Sequence, residues 1–285
     1  MLQQQSFEWY EYRKNHIGAS DAPVILNVSP WKTPYQLWLE KVSPVKMEEK
    51  TEAMQRGLAL EEPARKCFEA KTKIVMFPTV LESKKHPFMC ASLDGINLEG
   101  DSILEIKCPN RQDHQMALNG KVPEKYIPQL QHQMFVAEVE KAYYFSFDGN
   151  DGKIVMVDRD ERYIYDLIQK EREFWAFVEN FTPPEMNERD YQERTDAMWA
   201  QKVEQWLQNK ASLDEFEKRD KELRNDLILL AGNRNTKGAG VSLCKNIRRG
   251  NVDYSMIPEL QAINLDQYRE GKSSLPCLVE HRHYV

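Results

Sequence analysis

The sequence predicts a mixed α/β or α+β fold, a central sheet flanked by helices. Three observations predict it. Over the first 180 residues the patterns run helices, strands, helix, strands, helix, which is not a regular βαβ repeat. Two clusters of turn residues, Glu99-Gly100-Asp101 and Asp148-Gly149-Asn150-Asp151-Gly152, each separate β-rich runs. The composition, 41% apolar and 10% aromatic, is enough to bury a core.

The elements follow in order. Residues 6–16 read as a short aromatic-rich helix. Ser20 is placed to cap a second helix reaching about residue 27. Thr33-Pro34 is an N-cap followed by Pro at the first helical position, opening a helix to Lys41. Residues 52–71 carry Met54, Leu58, Glu61, Arg65 and Phe68 at helical spacing, with Pro63 as the expected kink or break. Residues 74–81 form a strand containing Pro78. Residues 88–96 and 102–107 form a hairpin, 109–126 a loop, and 124–138 a helix. Residues 142–147 and 153–157 form a second hairpin, and 161–180 a last helix.

Thr182-Pro183-Pro184 marks a boundary. It divides a domain over 1–182 from an accessory region over 183–285. In that region, 191–207 and 213–230 read as a helical hairpin spanning 190–230. A basic loop and small β-hairpin follow over 231–258, with 241–247 pairing to 252–257, and then a tail.

Other features bound the function. No apolar run approaches the roughly 18–20 residues that cross a bilayer. The N-terminus lacks the basic start and apolar stretch of a signal peptide. The cysteines at 67, 90, 108, 244 and 277 are odd in number and form no C-x-x-C pair. These features lead us to expect reduced thiols in a cytoplasm and argue against zinc or iron–sulfur ligation. The net charge is −6, which argues against a generic polyanion binder. It is compatible with an enzyme that gathers carboxylates around a metal. The excess is uneven: residues 181–230 are net acidic and 231–285 net basic. The acidic helices are therefore poor candidates for touching a polyanion. The basic cluster Arg234, Lys237, Lys245, Arg248 and Arg249 reads either as a solvated loop or as a contact for phosphate or an acidic partner.

The chemistry concentrates in Ser92-Leu93-Asp94-Gly95 and Leu104-Glu105-Ile106-Lys107-Cys108-Pro109. In a strand, Glu105 and Lys107 project from one face while Leu104 and Ile106 face the other. The hairpin brings Asp94 across. Hard oxygen donors of this kind suit Mg²⁺ or Mn²⁺, and the lysine orients a water or offsets developing charge. E-x-K alone is cheap: it recurs at Glu48, Glu69 and Glu270 in polar or helical stretches, where it reads as a solvated pair, and at Glu82, a genuine rival that follows an apolar strand but has no Asp shortly upstream. Only Glu105 combines an apolar strand, a hairpin partner and an upstream Asp. Glu61, on the preceding helix, is placed to add a third acid. His86, His114 and His132 form no ligand spacing, and Trp9, Trp31 and Trp38 read most simply as core.

The sequence resembles the YqaJ-type viral recombinases, the lambda-exonuclease-like branch of the PD-(D/E)XK nucleases. Five segments match in order over about the first 160 residues: Arg13 to Asp21, Arg56-Gly57 with Glu61, Ser92 to Gly95, Glu105 to Pro109, and Tyr126 to Gln131. The resemblance implies a PD-(D/E)XK, restriction-endonuclease-like core. It implies Asp94, Glu105, Glu61 and the Ile106 carbonyl as metal ligands and Lys107 as the catalytic lysine. Tyr126, Gln129 and Gln131 lie beside the site. Arg13, Ser20 and Ser92 hold a 5′-terminal phosphate, where Tyr126 also stands close, and Arg111 falls near a further basic position. The implied activity is Mg²⁺-dependent 5′→3′ digestion of linear double-stranded DNA, leaving 3′ overhangs for a single-strand annealing protein. The implied assembly is a homotrimeric ring. An endonuclease or 3′-end nuclease on the same fold, or a non-catalytic DNA-end scaffold, are the competing readings.

Overall fold

Side-chain caps start most of the helices. The computed structural model describes residues 6–44, 51–232, 234–245 and 256–260. Ser6 accepts the Trp9 N–H at 3.2 Å and opens α1, Phe7–Lys14. A two-residue strand β1 (Ile17–Gly18), a 3₁₀ turn over Ala19–Asp21 and a single helical turn α2 (Ala22–Ile25) follow. Ser20 therefore sits inside the turn and is not the cap of a longer helix. At α3 (Pro34–Val42), the Thr33 hydroxyl accepts the Gln36 N–H at 3.1 Å, and Gln36 Oε1 accepts the Thr33 N–H at 3.2 Å. Thr51 caps α4 (Glu52–Thr72), which runs unbroken through Pro63. Pro63 faces solvent, and the helix continues past it without the one backbone bond a proline cannot make, so the expected break does not occur.

The strands are β2 (Met76–Glu82), β3 (Met89–Asn97) and β4 (Ser102–Lys107). Next come α5 (Arg111–Leu118), α6 (Ile127–Ala137), β5 (Lys141–Phe147), β6 (Gly152–Asp158) and α7 (Glu161–Glu179). The sheet order is β1-β3-β4-β5-β6, with β2 also paired to β3. β1 lies parallel to β3 and β4 parallel to β5, while the other pairs are antiparallel. The sheet is mixed, as expected. Helix α5 replaces the expected loop over 109–126. Asn110 caps it by accepting the Asp113 N–H at 2.9 Å.

Alternation along the strands divides the core in two. Leu104, Ile106 and Phe145 pack with Ala64 and Phe68 of α4. Ile103, Tyr144 and Leu93 pack on the other face, with Leu130 and Met134 of α6 and Ile164 of α7. Clamped from both sides, β4 can hold charged residues at its end in fixed positions.

The chain divides into two compact units, with the break between Asp190 and Tyr191. In the second, residues 197–231 form one continuous helix, α8 (Ala197–Ala231), where a helical hairpin was expected. The segment Leu207-Gln208-Asn209-Lys210-Ala211-Ser212-Leu213 contains neither Gly nor Pro, so nothing stops the helix. β7 (Thr236–Gly238) and β8 (Val241–Leu243) pair across Ala239-Gly240. The expected pairing of 241–247 with 252–257 lies largely outside the described residues, as do Arg248, Arg249 and Cys277. No helix among the described residues is long and apolar enough to cross a membrane.

Candidate active site

The site lies where β3 and β4 part. Among the described residues they pair at Gly95–Leu104 and Ile96–Ile103. On the opposite edge of β3, the register with β2 slips between Phe77–Ile96 and Thr79–Leu93. β3 carries one residue more than β2 there, a bulge at Asp94-Gly95 opposite Pro78. Pro lacks the N–H a ladder needs and is accommodated at such a bulge. A Cβ on Gly95 would stand 2.6 Å from Met76 Cβ, so only glycine fits. The bulge turns Asp94 toward β4, where its Oδ2 accepts the Ile106 N–H at 2.7 Å. From α4, Arg65 Nη1 donates to the Asp94 carbonyl at 2.9 Å.

Glu105 is 3% exposed, and a buried carboxylate needs compensation. Lys107 Nζ stands 2.5 Å from Oε1. Gln129 donates to the same oxygen at 2.7 Å, and Gln133 donates to Oε2 at 2.5 Å. Lys107 also lies over the Tyr126 ring, 5.2 Å from its centroid. Burial works against its charge, but Glu105 and Asp94 outweigh it and raise its pKa above the ordinary lysine value. Burial, reinforced by Glu105 and Glu61, holds the Asp94 carboxyl well above the usual aspartate range. Glu61 is raised mainly by burial, with Arg65 opposing and Glu105 adding. Its nearest ion pair is Arg65 at 3.9 Å.

Negative charge is thus crowded at one end of the sheet. Among the described residues no three His, Cys, Asp or Glu side chains form a ready cage for a metal. The donor set nevertheless fits a hard divalent cation. It consists of carboxylate oxygens whose mutual repulsion a cation would relieve, with backbone carbonyl and water free to complete its coordination.

A second polar cluster flanks the first. Arg13 Nη2 donates to Ser20 Oγ at 2.7 Å and to Asp21 Oδ1 at 3.2 Å. Lys41 Nζ lies 2.7 Å from Asp21 Oδ2 and also donates to the Arg13 and His16 carbonyls at 2.7 Å. Burial opposes ionisation of Asp21, but Lys41 and Arg13 prevail and hold its pKa at about 2. A cavity of about 410 Å³ opens here, lined by Arg13, Lys14, Lys32 and Lys41 with Asp21 and Glu40. Gly18 pairs with Cys90 in parallel register. Ser92, two residues before Asp94 on β3, is paired with Val80 of β2. Cys90, the β3 residue that Gly18 pairs with, stands four residues, about 13 Å, before Asp94.

Other expected residues stand apart. Gln131 faces the opposite side of α6 from Gln129: it donates to the Asp158 carbonyl at 3.0 Å and accepts the Asp160 N–H at 2.9 Å. Arg111 opens α5 and lines a different surface hollow with Gln112 and Gln115. Trp31 is 65% exposed and so is not core. It lies beside Tyr126, their ring centroids 6.3 Å apart. The rival Glu82 is taken by the Tyr12 hydroxyl at 2.9 Å, and Lys84 pairs with Glu138. His132 is fully buried between Glu171 and the Cys90 carbonyl. Gln133 and Arg65 were missed. The i, i+4 spacing from Gln129 to Gln133 could have revealed the former.

Residues 8–140 match the YqaJ-like viral recombinase domain, and they contain every group of both clusters. This segment is similar to that family. The chain is 29% identical over 244 residues to the uncharacterized protein YqaJ of Bacillus subtilis strain 168, covering 77% of this chain and 76% of that one. The fold is similar to that of the alkaline exonuclease LHK-Exo from Laribacter hongkongensis, at a TM-score of 0.55 and 24% identity. That likeness covers 62% of this chain and 94% of the exonuclease. The same protein in complex with dAMP matches equally. Over this stretch the chain thus shares that exonuclease's fold. The family match ends at residue 140, before β5 and β6, although β5 is the strand that clamps β4 along its length.

Proposed function

We propose that this chain is a metal-dependent exonuclease that digests linear double-stranded DNA from the 5′ end. The observation that carries the proposal is the convergence of Asp94, Glu105 and Lys107 where β3 and β4 part. Asp94, Glu105 and the Ile106 carbonyl would hold Mg²⁺, with Mn²⁺ as substitute and Glu61 assisting. Bound there, the metal supplies Lewis acidity and a water of lowered pKa.

The chain's own groups do the rest. Gln129 and Gln133 fix both oxygens of Glu105, so the carboxylate is oriented before substrate arrives. Lys107 is charged and held between Glu105 and Tyr126, placed to orient the attacking water or to meet charge building on the phosphate. Glu61 acts at the edge of the site, facing Arg65, which anchors the bulge.

Arg13, with Ser20 and Ser92, would take the terminal 5′-phosphate through guanidinium and hydroxyl donors. This cluster supports 5′→3′ polarity. The product would be a 3′ single strand handed to an annealing protein. We further propose a homotrimeric ring in a reducing cytoplasm, with DNA ends as the substrate. The odd number of scattered cysteines, with no C-x-x-C pair, accords with that compartment.

Digestion of linear duplex with Mg²⁺ tests this reading. Lys107→Ala should abolish degradation while the fold persists. Full activity in that variant would overturn the site. Equal rates on 5′-phosphate and 5′-hydroxyl ends would overturn the polarity.

A further inference from the structure

Helix α8 buries none of its 35 residues, yet it carries Leu213 at 56%, Phe216 at 67% and Leu223 at 57% exposure. A permanently solvated helix has no use for such side chains. Their spacing is informative. Trp199, Trp206 and Leu213 recur every seven residues, and Phe216 and Leu223 continue a second row three residues on. A 3.5-residue period, rather than 3.6, marks a helix that winds around another. With Trp199 as position a of a heptad, the a positions are 199, 206, 213 and 220, and the d positions are 202, 209, 216 and 223.

Two of these seam positions carry opposite charges: Lys202 at d and Asp220 at a. A parallel, in-register copy would set each against its own like, which is unfavourable. In an antiparallel pair the layers form between a of one helix and d of the other. Lys202 and Asp220 occupy one of each, as such a layer requires. Placing Lys202 against Asp220 of a second copy fixes the register. It sets Trp206 against Phe216 and Trp199 against Leu223, and each layer occurs twice about the two-fold axis.

We infer that α8 is one strand of an antiparallel coiled coil formed with a second copy of this chain, in register through Lys202 and Asp220. Lys202 Nζ otherwise donates to Gln205 Oε1 at 3.1 Å on an exposed surface, a neutral contact that a carboxylate would displace. The net acidic charge of residues 181–230 accords with a protein partner rather than DNA. No site residue lies on α8, so the inference stands apart from the nuclease reading.

The test is charge reversal in the full chain, read as mass by light scattering at micromolar concentration. Lys202→Asp and Asp220→Lys, each alone, should halve the assembled mass. The double variant, and an equal mixture of the two single variants, should restore it. Helix content by circular dichroism should stay constant throughout. Wild-type mass retained in both single variants overturns the inference; a ring held together by the first unit does not, since α8 would then pair one ring with another. Failure of both the double variant and the mixture to recover overturns it equally, because the opposed charges would then not set the register.

Discussion

Gln133 donates to Glu105 Oε2 at 2.5 Å, while its own Oε1 is buried without a hydrogen-bond partner. A buried amide that leaves one end unsatisfied is costly, so this residue favours the carboxylate's placement over its own. Gln129 and Gln133 point one way and Gln131 the other. The three should therefore separate on substitution. Gln133→Leu and Gln129→Leu are expected to lower kcat by about 10–100-fold, as for outer groups that orient metal ligands. Gln131→Ala should cost about 1–2 kcal/mol of stability through its two lost bonds and leave kcat near wild type. Steady-state digestion and thermal melts on the three variants check this. Similar kcat losses for all three would refute the separation.

Crowded carboxylates predict a linkage between metal and stability. Asp94 has a folded pKa raised by burial and by Glu105 and Glu61. Its ionisation therefore costs stability, a cost that sets in as pH rises above the unfolded aspartate value. In EDTA at neutral pH, Asp94→Asn should melt higher than wild type, and the gap should close below about pH 3.8. Adding Mg²⁺ to about one hundred times its Kd should stabilise wild type by about 2.7 kcal/mol. Asp94→Asn should gain far less. Equal gains would remove Asp94 from the metal site.

Gly95 tests the bulge. Its Cβ would meet Met76 Cβ at 2.6 Å, and both are backbone-fixed atoms. Gly95→Ala should cost about 1–3 kcal/mol, typical of overpacking. It should also depress activity, because the strand must shift under Asp94. Chemical denaturation measures the first effect and digestion the second.

Much of the first unit was legible because its signals are local. Thr33-Pro34, the two turn clusters and the 104–107 alternation each specify their own element. The acid–acid–lysine set was legible because strand alternation fixes which side chains share a face. What escaped depends on tertiary context. The slip opposite Pro78 arises between two strands, and no window of one strand displays it. Trp31 is aromatic and reads as core, but its exposure is decided by the loop that carries it. The break expected near residue 210 was a habit of element length rather than a sequence signal, since no breaker stands there.

Asp21 and Lys41 give the last prediction. Asp21 accepts from Lys41, Arg13 and the Gly18 N–H, all close to a single buried carboxyl. Its folded pKa of about 2 lies below the unfolded value. The stability it contributes is therefore present above about pH 3.8 and lost as pH falls through 2. Lys41 works the other way, since burial lowers its pKa, so the pair is worth less than Asp21 taken alone. Asp21→Asn would strand Lys41, which is 5% exposed in its side chain, and should cost about 3 kcal/mol at pH 7. The deficit should shrink as pH falls from about 4 toward 2, because wild type then loses the same charge. Arg13 would also lose the carboxylate that aims it at Ser20. The preference for 5′-phosphorylated ends should consequently fall even where the fold is restored by lower temperature. Urea melts across pH, paired with digestion of phosphorylated and unphosphorylated ends, measure both. An unchanged end preference would show that Asp21 serves the fold without positioning Arg13.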